Sequence, residues 1–167
     1  MEKTNENFSF KKYAWNQFKK NKVALVCLYL LFLLIIIAVF APYIANERPL
    51  YAEYKGEKLY PAFADASRTD SIFNENGKLD EVLQYDITDW RRLNFDKVIW
   101  PPIAYSPETM DRYNRDYVSP SGKQRFKNEK GEITDAPKKF RHVLGTDGIG
   151  RDLAAGLIHG TRISLMV

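Results

Sequence analysis

At 167 residues, with 45% hydrophobic and 28% charged residues, the chain has the size and average composition of one ordinary domain and a formal net charge of +4. The excess charge all lies in residues 1–22, where six lysines face two glutamates; residues 47–141 carry 17 basic and 17 acidic side chains. That balance excludes a nucleic-acid face on the folded region. One cysteine and two histidines exclude a disulfide framework and the usual zinc donor sets, so no cofactor is expected.

In chain order, the first element is the basic stretch "FSFKKYAWNQFKKNK". Phe10, Ala14 and Phe18 recur every four residues with Trp15 beside them, and Lys11 and Lys22 intrude on that side. Lys12, Lys19 and Lys20 gather opposite. The pattern predicts a helix lying in the membrane interface, with Trp15, Lys19, Lys20 and Lys22 as anchors to membrane lipid. A disordered basic tail is the competing reading, because the apolar face is imperfect.

Next comes "VALVCLYLLFLLIIIAVF", Val23 to Phe40, without a charge, and Pro42 follows where a helix could end. Extended by Ala41 to Ile44, the run reaches across a hydrocarbon core of about 30 Å. A cleavable signal peptide shares the basic start. Its core is usually only about 7–15 residues, and neither "VFAP" nor "YIAN" offers a small-x-small cleavage site. The run is therefore read as an uncleaved transmembrane helix containing Cys27 as a packing residue. The charge bias places the amino terminus in the cytoplasm and residues 45 to about 160 outside it.

From Asn46 to Phe140 the character changes, with seven of the eight prolines and 14 aromatic residues. Glycines in "EYKGEKLY", "FNENGKLDEV", "YVSPSGKQRF" and "KNEKGEIT" each sit between short runs that could pair as strands. The aromatics are read as core volume for a small domain rather than as a stacking surface. "WPPIAYSP", Trp100 to Pro107, is extended around its prolines, as a packed arm or a docking strip. The acidic pairs Asp80/Glu81, Asp86/Asp89 and Asp111/Asp116 are read as solvated. With no nucleophile elbow, Cys/His pair or HExxH helix, no active site is expected.

The chain closes on "HVLGTDGIGRDLAAGLIHGTRISLMV". Glycines at 145, 148 and 150 match neither a dinucleotide fingerprint nor a Walker loop, and Asp147 and Asp152 are too few for a calcium loop. As structure, the stretch fits a helix start. Asp147 is expected to cap it, Asp152 to occupy its first turn, and Gly148 and Gly150 to relax the preceding turn. Ile149, Leu153, Gly156, Gly160, Ile163 and Val167 then form one stripe. Within it Gly156 and Gly160 allow close helix packing, while Arg151, His159 and Arg162 share another face. Arg162 marks the membrane surface, and Ile163–Val167 begins a second span.

These residues carry a resemblance. His142 to Val167 resembles the segment H-x-L-G-T-D-x-x-G-R-D, followed by small residues and Arg-Ile-Ser-Leu, that precedes the second membrane helix of ABC-transporter permeases for dipeptides, oligopeptides and nickel. "WNQFKKNKVALVCLYLLFLLIIIAVFAPYIA" resembles the amino-terminal segment of the same family, C-type subunit. The two matches cover about 55 residues, and the stretch between them is an insertion.

The resemblance implies an ATP-driven importer for peptides or a related small solute, with a second permease subunit, two ABC ATPase subunits and an extracytoplasmic substrate-binding protein as partners. It also implies that ATP hydrolysis belongs to other chains, in the plasma membrane of a bacterium. Because the sequence stops about five residues into the second span, the chain is expected to be the front portion of such a subunit, unable to transport alone.

The expected fold is an α+β membrane protein. Residues 1–22 form a cytoplasmic amphipathic segment, 23–44 the first transmembrane helix, 45–141 a small, mostly β extracytoplasmic insertion, 142–162 a signature turn and helix, and 163–167 the start of a truncated second transmembrane helix. Gly145, Thr146, Asp147, Gly150, Arg151 and Asp152 are the signature residues, structural and open to partner docking. The alternative is a single-pass membrane-anchored protein with an extracytoplasmic binding domain, which leaves the closing motif without purpose.

Overall fold

The computed structural model describes residues 10–74 and 76–167. Residues 1–9 of the basic segment and Glu75 of the "FNENGKLDEV" turn lie outside it. The chain divides into two units, 1–36 and 37–167.

In the first unit α1 spans Phe10–Lys20, and Trp15 stacks on Phe18 at 5.7 Å with the Lys19 ammonium 5.8 Å from its ring centre. Asn21 separates this helix from α2, Lys22–Ile44. Its Oδ1 accepts from the amides of Val23 (3.1 Å) and Ala24 (3.2 Å), satisfying donors that a helix start leaves orphaned. Lys22, expected on the amphipathic face of the first segment, therefore opens the apolar helix instead. Among the described residues α2 is the one helix long and apolar enough to cross a membrane.

Pro42 does not end α2, which continues to Ile44. Lacking an amide hydrogen, Pro42 removes one intrahelical bond, and the last carbonyls of the helix are satisfied around it. Ala41 O accepts from Ala45 N (3.0 Å), Pro42 O from the Asn46 side-chain amide (2.9 Å), and Ile44 O from Ile103 N (3.0 Å). Asn46 N returns a bond to Ile103 O (3.1 Å), so Ala45 and Ile103 form a parallel bridge. The "WPPIAYSP" tract is thus an arm strapped across the helix exit, and Tyr105 within it is buried with Ala45 and Ala155.

The rest of the second unit makes two excursions from this exit. The first is closed where β1 (Tyr51–Tyr54) pairs antiparallel with β5 (Lys97–Ile99), Tyr51 opposite Ile99. β2 (Glu57–Leu59) completes a sheet of order β2-β1-β5. Lys55 and Gly56, at φ 50° and 84°, form the two-residue turn joining β1 to β2, a backbone hand that matches strand twist. β3 (Thr69–Phe73) and β4 (Leu79–Gln84) form a separate hairpin with a register shift at Ile72/Phe73. Ala52, Tyr54, Leu59, Ile72, Leu83, Tyr85 and Trp90 fill the space between, with Tyr85 edge-on to Trp90 at 4.9 Å.

The second excursion carries the hairpin of β6 (Arg125–Lys127) and β7 (Ile133–Asp135), and leads into α3, Leu153–Met166. Three of the four glycine turns thus join paired strands. "YVSPSGKQRF" does not. Ser119–Gly122 is a turn, but Val118 on its near side bonds Thr146 rather than its own far side.

Trp90 is buried, and its indole N–H has no acceptor among the described residues. Trp90→Ala is expected to lower stability by about 3–5 kcal/mol through the cavity it leaves. Trp90→Phe should cost clearly less, because a ring still fills most of that space while the unpaired buried donor, worth about 1–3 kcal/mol of unrecovered desolvation, is removed. Thermal denaturation of the full chain in detergent, followed by near-ultraviolet circular dichroism, checks both values.

Candidate functional site

The closing motif folds back on the loop that begins at Met110. Met110 and Arg151 form an antiparallel bridge, as do Thr146 and Asp152, and Asp111 N donates to Gly150 O at 2.9 Å. Two glycines permit this. A Cβ on Gly150, at φ 88°, would fall 2.1 Å from Asp111 O, and one on Gly145, at φ 83°, 2.4 Å from Val118 O. Both positions thus combine a left-handed backbone with contact to another strand, and only glycine meets both demands.

Asp147 organises the turn rather than the helix. Its Oδ1 accepts from Ile149 N (3.0 Å) and Arg151 N (2.8 Å), and the bond from the Arg151 amide above all holds its carboxyl below the ordinary carboxylate range. The cap of α3 is Asp152, whose Oδ1 accepts from Ala155 N at 2.7 Å. The expected assignments are therefore shifted: Asp152 caps, Asp147 shapes the turn, and Leu153 is the first helical residue. The bridge between Thr146 and Asp152 sets that shift, because it keeps residue 152 extended.

Beneath the turn lies an ionic cluster. His142 is fully buried, with Nδ1 2.8 Å from Asp152 Oδ2 and Nε2 3.3 Å from Asp111 Oδ2. Two carboxylates facing both ring nitrogens favour the form in which both carry hydrogen, the imidazolium. Burial pushes the His142 pKa down, but its bonds to Asp111 and Asp152 outweigh that and hold it above the ordinary value. Burial likewise pushes Asp111 up, and bonds from His142, Asn114 and the Tyr113 amide bring it below the ordinary value.

Neighbouring side chains fix this cluster in place. The Tyr105 ring stacks on the imidazole at 4.0 Å, and the Arg91 guanidinium lies 4.8 Å from the same ring centre. Gln124 clamps the His142 backbone, accepting from its amide at 2.7 Å and donating to its carbonyl at 3.1 Å. Asn114 donates to Asp111 Oδ2 (2.8 Å) and Arg125 O (2.7 Å), and the Thr146 hydroxyl donates to Asn114 O at 2.7 Å. With both ring nitrogens engaged and the side chain buried, His142 serves the fold by tying Asp152 to Asp111.

α3 is then set against the exit of α2. His159 Nε2 meets Ala45 O at 2.9 Å, which requires the Nε2–H form, and Ala155 packs on Tyr105 and Ala45. His159 does not share a helix face with Arg151, as the helical stripe predicted, because Arg151 precedes the helix and belongs to the bridge with Met110. Ile149 also lies in the turn. Gly156 and Gly160 face open space, with nothing within 4 Å of a Cβ at either.

The structure thus brings Gly145, Thr146, Asp147, Gly150, Arg151 and Asp152 into one turn. Trp15, Lys19 and Lys20 lie on α1, and Lys22 opens α2. The sequence reading missed His142, Asp111, Asn114 and Gln124 as a unit and took Asp111 for a solvated acid. Asp111 is instead nearly buried. The signal available was a histidine ten residues before the capping aspartate in a stretch otherwise short of histidine.

Comparison with known proteins now bears on the chain. Residues 9–61 match the family model described as the N-terminal TM domain of oligopeptide transport permease C. Those residues are similar to the amino-terminal membrane domain of that permease type. It is 29% identical to the peptidoglycan transport system permease protein YejE of Agrobacterium fabrum, over 93% of this chain and 42% of that protein. The inner membrane ABC transporter permease protein YejE of Escherichia coli is 25% identical over 91% of this chain and 39% of its own length. The dipeptide transport system permease protein DppC of Lactococcus lactis is 24% identical over 95% and 35%. The chain therefore spans about two fifths of the curated relatives it matches, and these similarities extend through the insertion. No solved structure matches significantly. The relatives and the apolar helix together support an inner-membrane protein.

Two outcomes follow from the geometry. Gly150→Ala should destabilise the full chain by more than about 1 kcal/mol through φ strain alone, with the clash against Asp111 added, measured by chemical denaturation in detergent. The raised His142 pKa contributes stability that is complete below its ordinary value of 6.5 and disappears as pH rises through the raised value. The lowered Asp111 pKa contributes stability present above 3.8 and lost as pH falls through the lowered value. Melting temperature should therefore peak in the mildly acidic range between them, and His142→Gln should lower that peak and flatten its alkaline side.

Proposed function

We propose that this chain is the front portion of a permease subunit in an ATP-driven ABC importer for peptides or a related small solute. A second permease subunit, two ABC ATPases and an extracytoplasmic substrate-binding protein complete the assembly. ATP hydrolysis is assigned to the ATPase partners. The observation that carries the reading is the similarity to permeases over more than nine tenths of the chain. A bare membrane anchor would account for α2 but not for that extent.

In this reading α1 lies on the cytoplasmic face, with Trp15, Lys19, Lys20 and Lys22 at headgroup depth. Residues 45 to about 160 lie outside, and α3 leads into the second membrane helix. The signature turn works as a joint: the imidazolium cluster holds the turn, Asp152 starts α3, and His159 ties α3 to the end of α2. Gly156 and Gly160, uncovered on α3, supply the face on which a neighbouring membrane helix packs. Asp147 and Arg151, at the outer surface of the turn, are available to a partner.

Affinity purification of the tagged chain from bacterial membranes tests the assignment. Co-purification of a second permease-like subunit and ABC ATPases, identified by mass spectrometry, is the expected result, and Gly156→Leu with Gly160→Leu should reduce it severalfold. Recovery of the chain free of any membrane partner, with unchanged behaviour of the double variant, would count against it.

A further inference from the structure

The membrane end of the second unit carries aromatic side chains that the core does not use. Tyr43 lies in the last turn of α2, and Phe63 stacks on it with ring centres 4.9 Å apart. Phe63 closes the short 3₁₀ turn Pro61–Phe63, whose position is fixed from both sides. Ala62 N donates to Pro49 O at 3.0 Å, and Arg48 Nη1 donates to Ala64 O at 3.3 Å. Pro61 is buried beneath the turn, yet Phe63 remains 61% exposed. Tyr60, tilted against Tyr51 at 5.4 Å, is 55% exposed.

Tyr85, Trp90 and Tyr105 are by contrast buried in the core. Phe63 and Tyr60 face outward at a defined height, that of the carboxyl end of a helix long enough to span. At about 1.5 Å per residue, α2 brings Tyr43 to the border between hydrocarbon and headgroups. The contact with Tyr43 carries Phe63 to the same border. Exposed aromatics at that depth are favoured by their amphipathic character, and the Arg48 guanidinium beside them suits anionic headgroups. The exposed apolar surface of α2 itself, Val39 and Phe40, runs directly into this patch.

We infer that the Pro61–Phe63 turn, with Tyr60 and Tyr43, is a lipid-contacting foot by which the folded region rests on the membrane surface. The inference rests on α2 as a membrane span and not on transport. Its failure therefore leaves the permease assignment standing, and loss of partner co-purification leaves the foot standing.

The full chain, with Cys27→Ala, is reconstituted in phosphatidylethanolamine and phosphatidylglycerol liposomes with a nitroxide at Phe63→Cys, Tyr60→Cys or Lys130→Cys. Lys130, in the polar β6–β7 turn, serves as the aqueous reference. The expected result is a ratio of oxygen to nickel-chelate collisions several-fold higher at 63 and 60 than at 130. Tyr60 makes no stacking contact with Tyr43, so it reports the membrane even if the label at 63 disturbs that stack. A ratio at both positions equal to that at 130 places the turn in water and overturns the inference. Low collision rates with both reagents at both positions place it beneath protein, another copy or a partner, and overturn it equally.

Discussion

A helix leaving hydrocarbon must satisfy its last carbonyls at a place where water is scarce, and the architecture of this chain is organised by that requirement. The carbonyls of Ala41, Pro42, Ile44 and Ala45 each meet a different donor: the next turn, the Asn46 side chain, the arm at Ile103, and His159. The last two come from residues 59 and 114 positions away from their acceptors. The helix terminus is therefore completed only when the whole intervening chain has folded, which ties a local need of α2 to the placement of α3.

The buried cluster around His142 holds that closure together. One imidazolium between two carboxylates is costly to desolvate, and the arrangement survives because spare lone pairs are used. Asp152 accepts from Ala155 N, while Asp111 accepts from Asn114 and the Tyr113 amide. Removing one member would leave a buried charge uncompensated, at a typical cost of about 3–5 kcal/mol. A hydrophobic substitute would fill the space without specifying which strand lies opposite which, whereas the present cluster accepts one register of the 110–111 strand against 150–151.

Elements whose determinants are local were legible in the sequence. The apolar run gave α2, and the glycines of "EYKGEKLY" and "KNEKGEIT" gave hairpins because a positive φ is a property of one residue. Where the determinant is distant, the reading failed. Asp111 looked like any loop acid because its partner stands 31 positions away. Val118 looked like half of a hairpin because nothing nearby revealed Thr146 as its true neighbour. The helix start was placed at Asp147 because capping chemistry suits either aspartate, and only the bridge between Thr146 and Asp152 decides which one is used.

Each excursion from the membrane edge returns to its own starting rung, one at Tyr51 opposite Ile99 and the other at Met110 opposite Arg151. A chain closed at its neck bears little thermodynamic penalty for what hangs beyond it, since doubling a loop adds only about 0.6 kcal/mol of closure entropy. Such necks let the region beyond them lengthen, shorten or exchange its contents over evolutionary time while α3 keeps its contact with the end of α2 through His159 and Ala45.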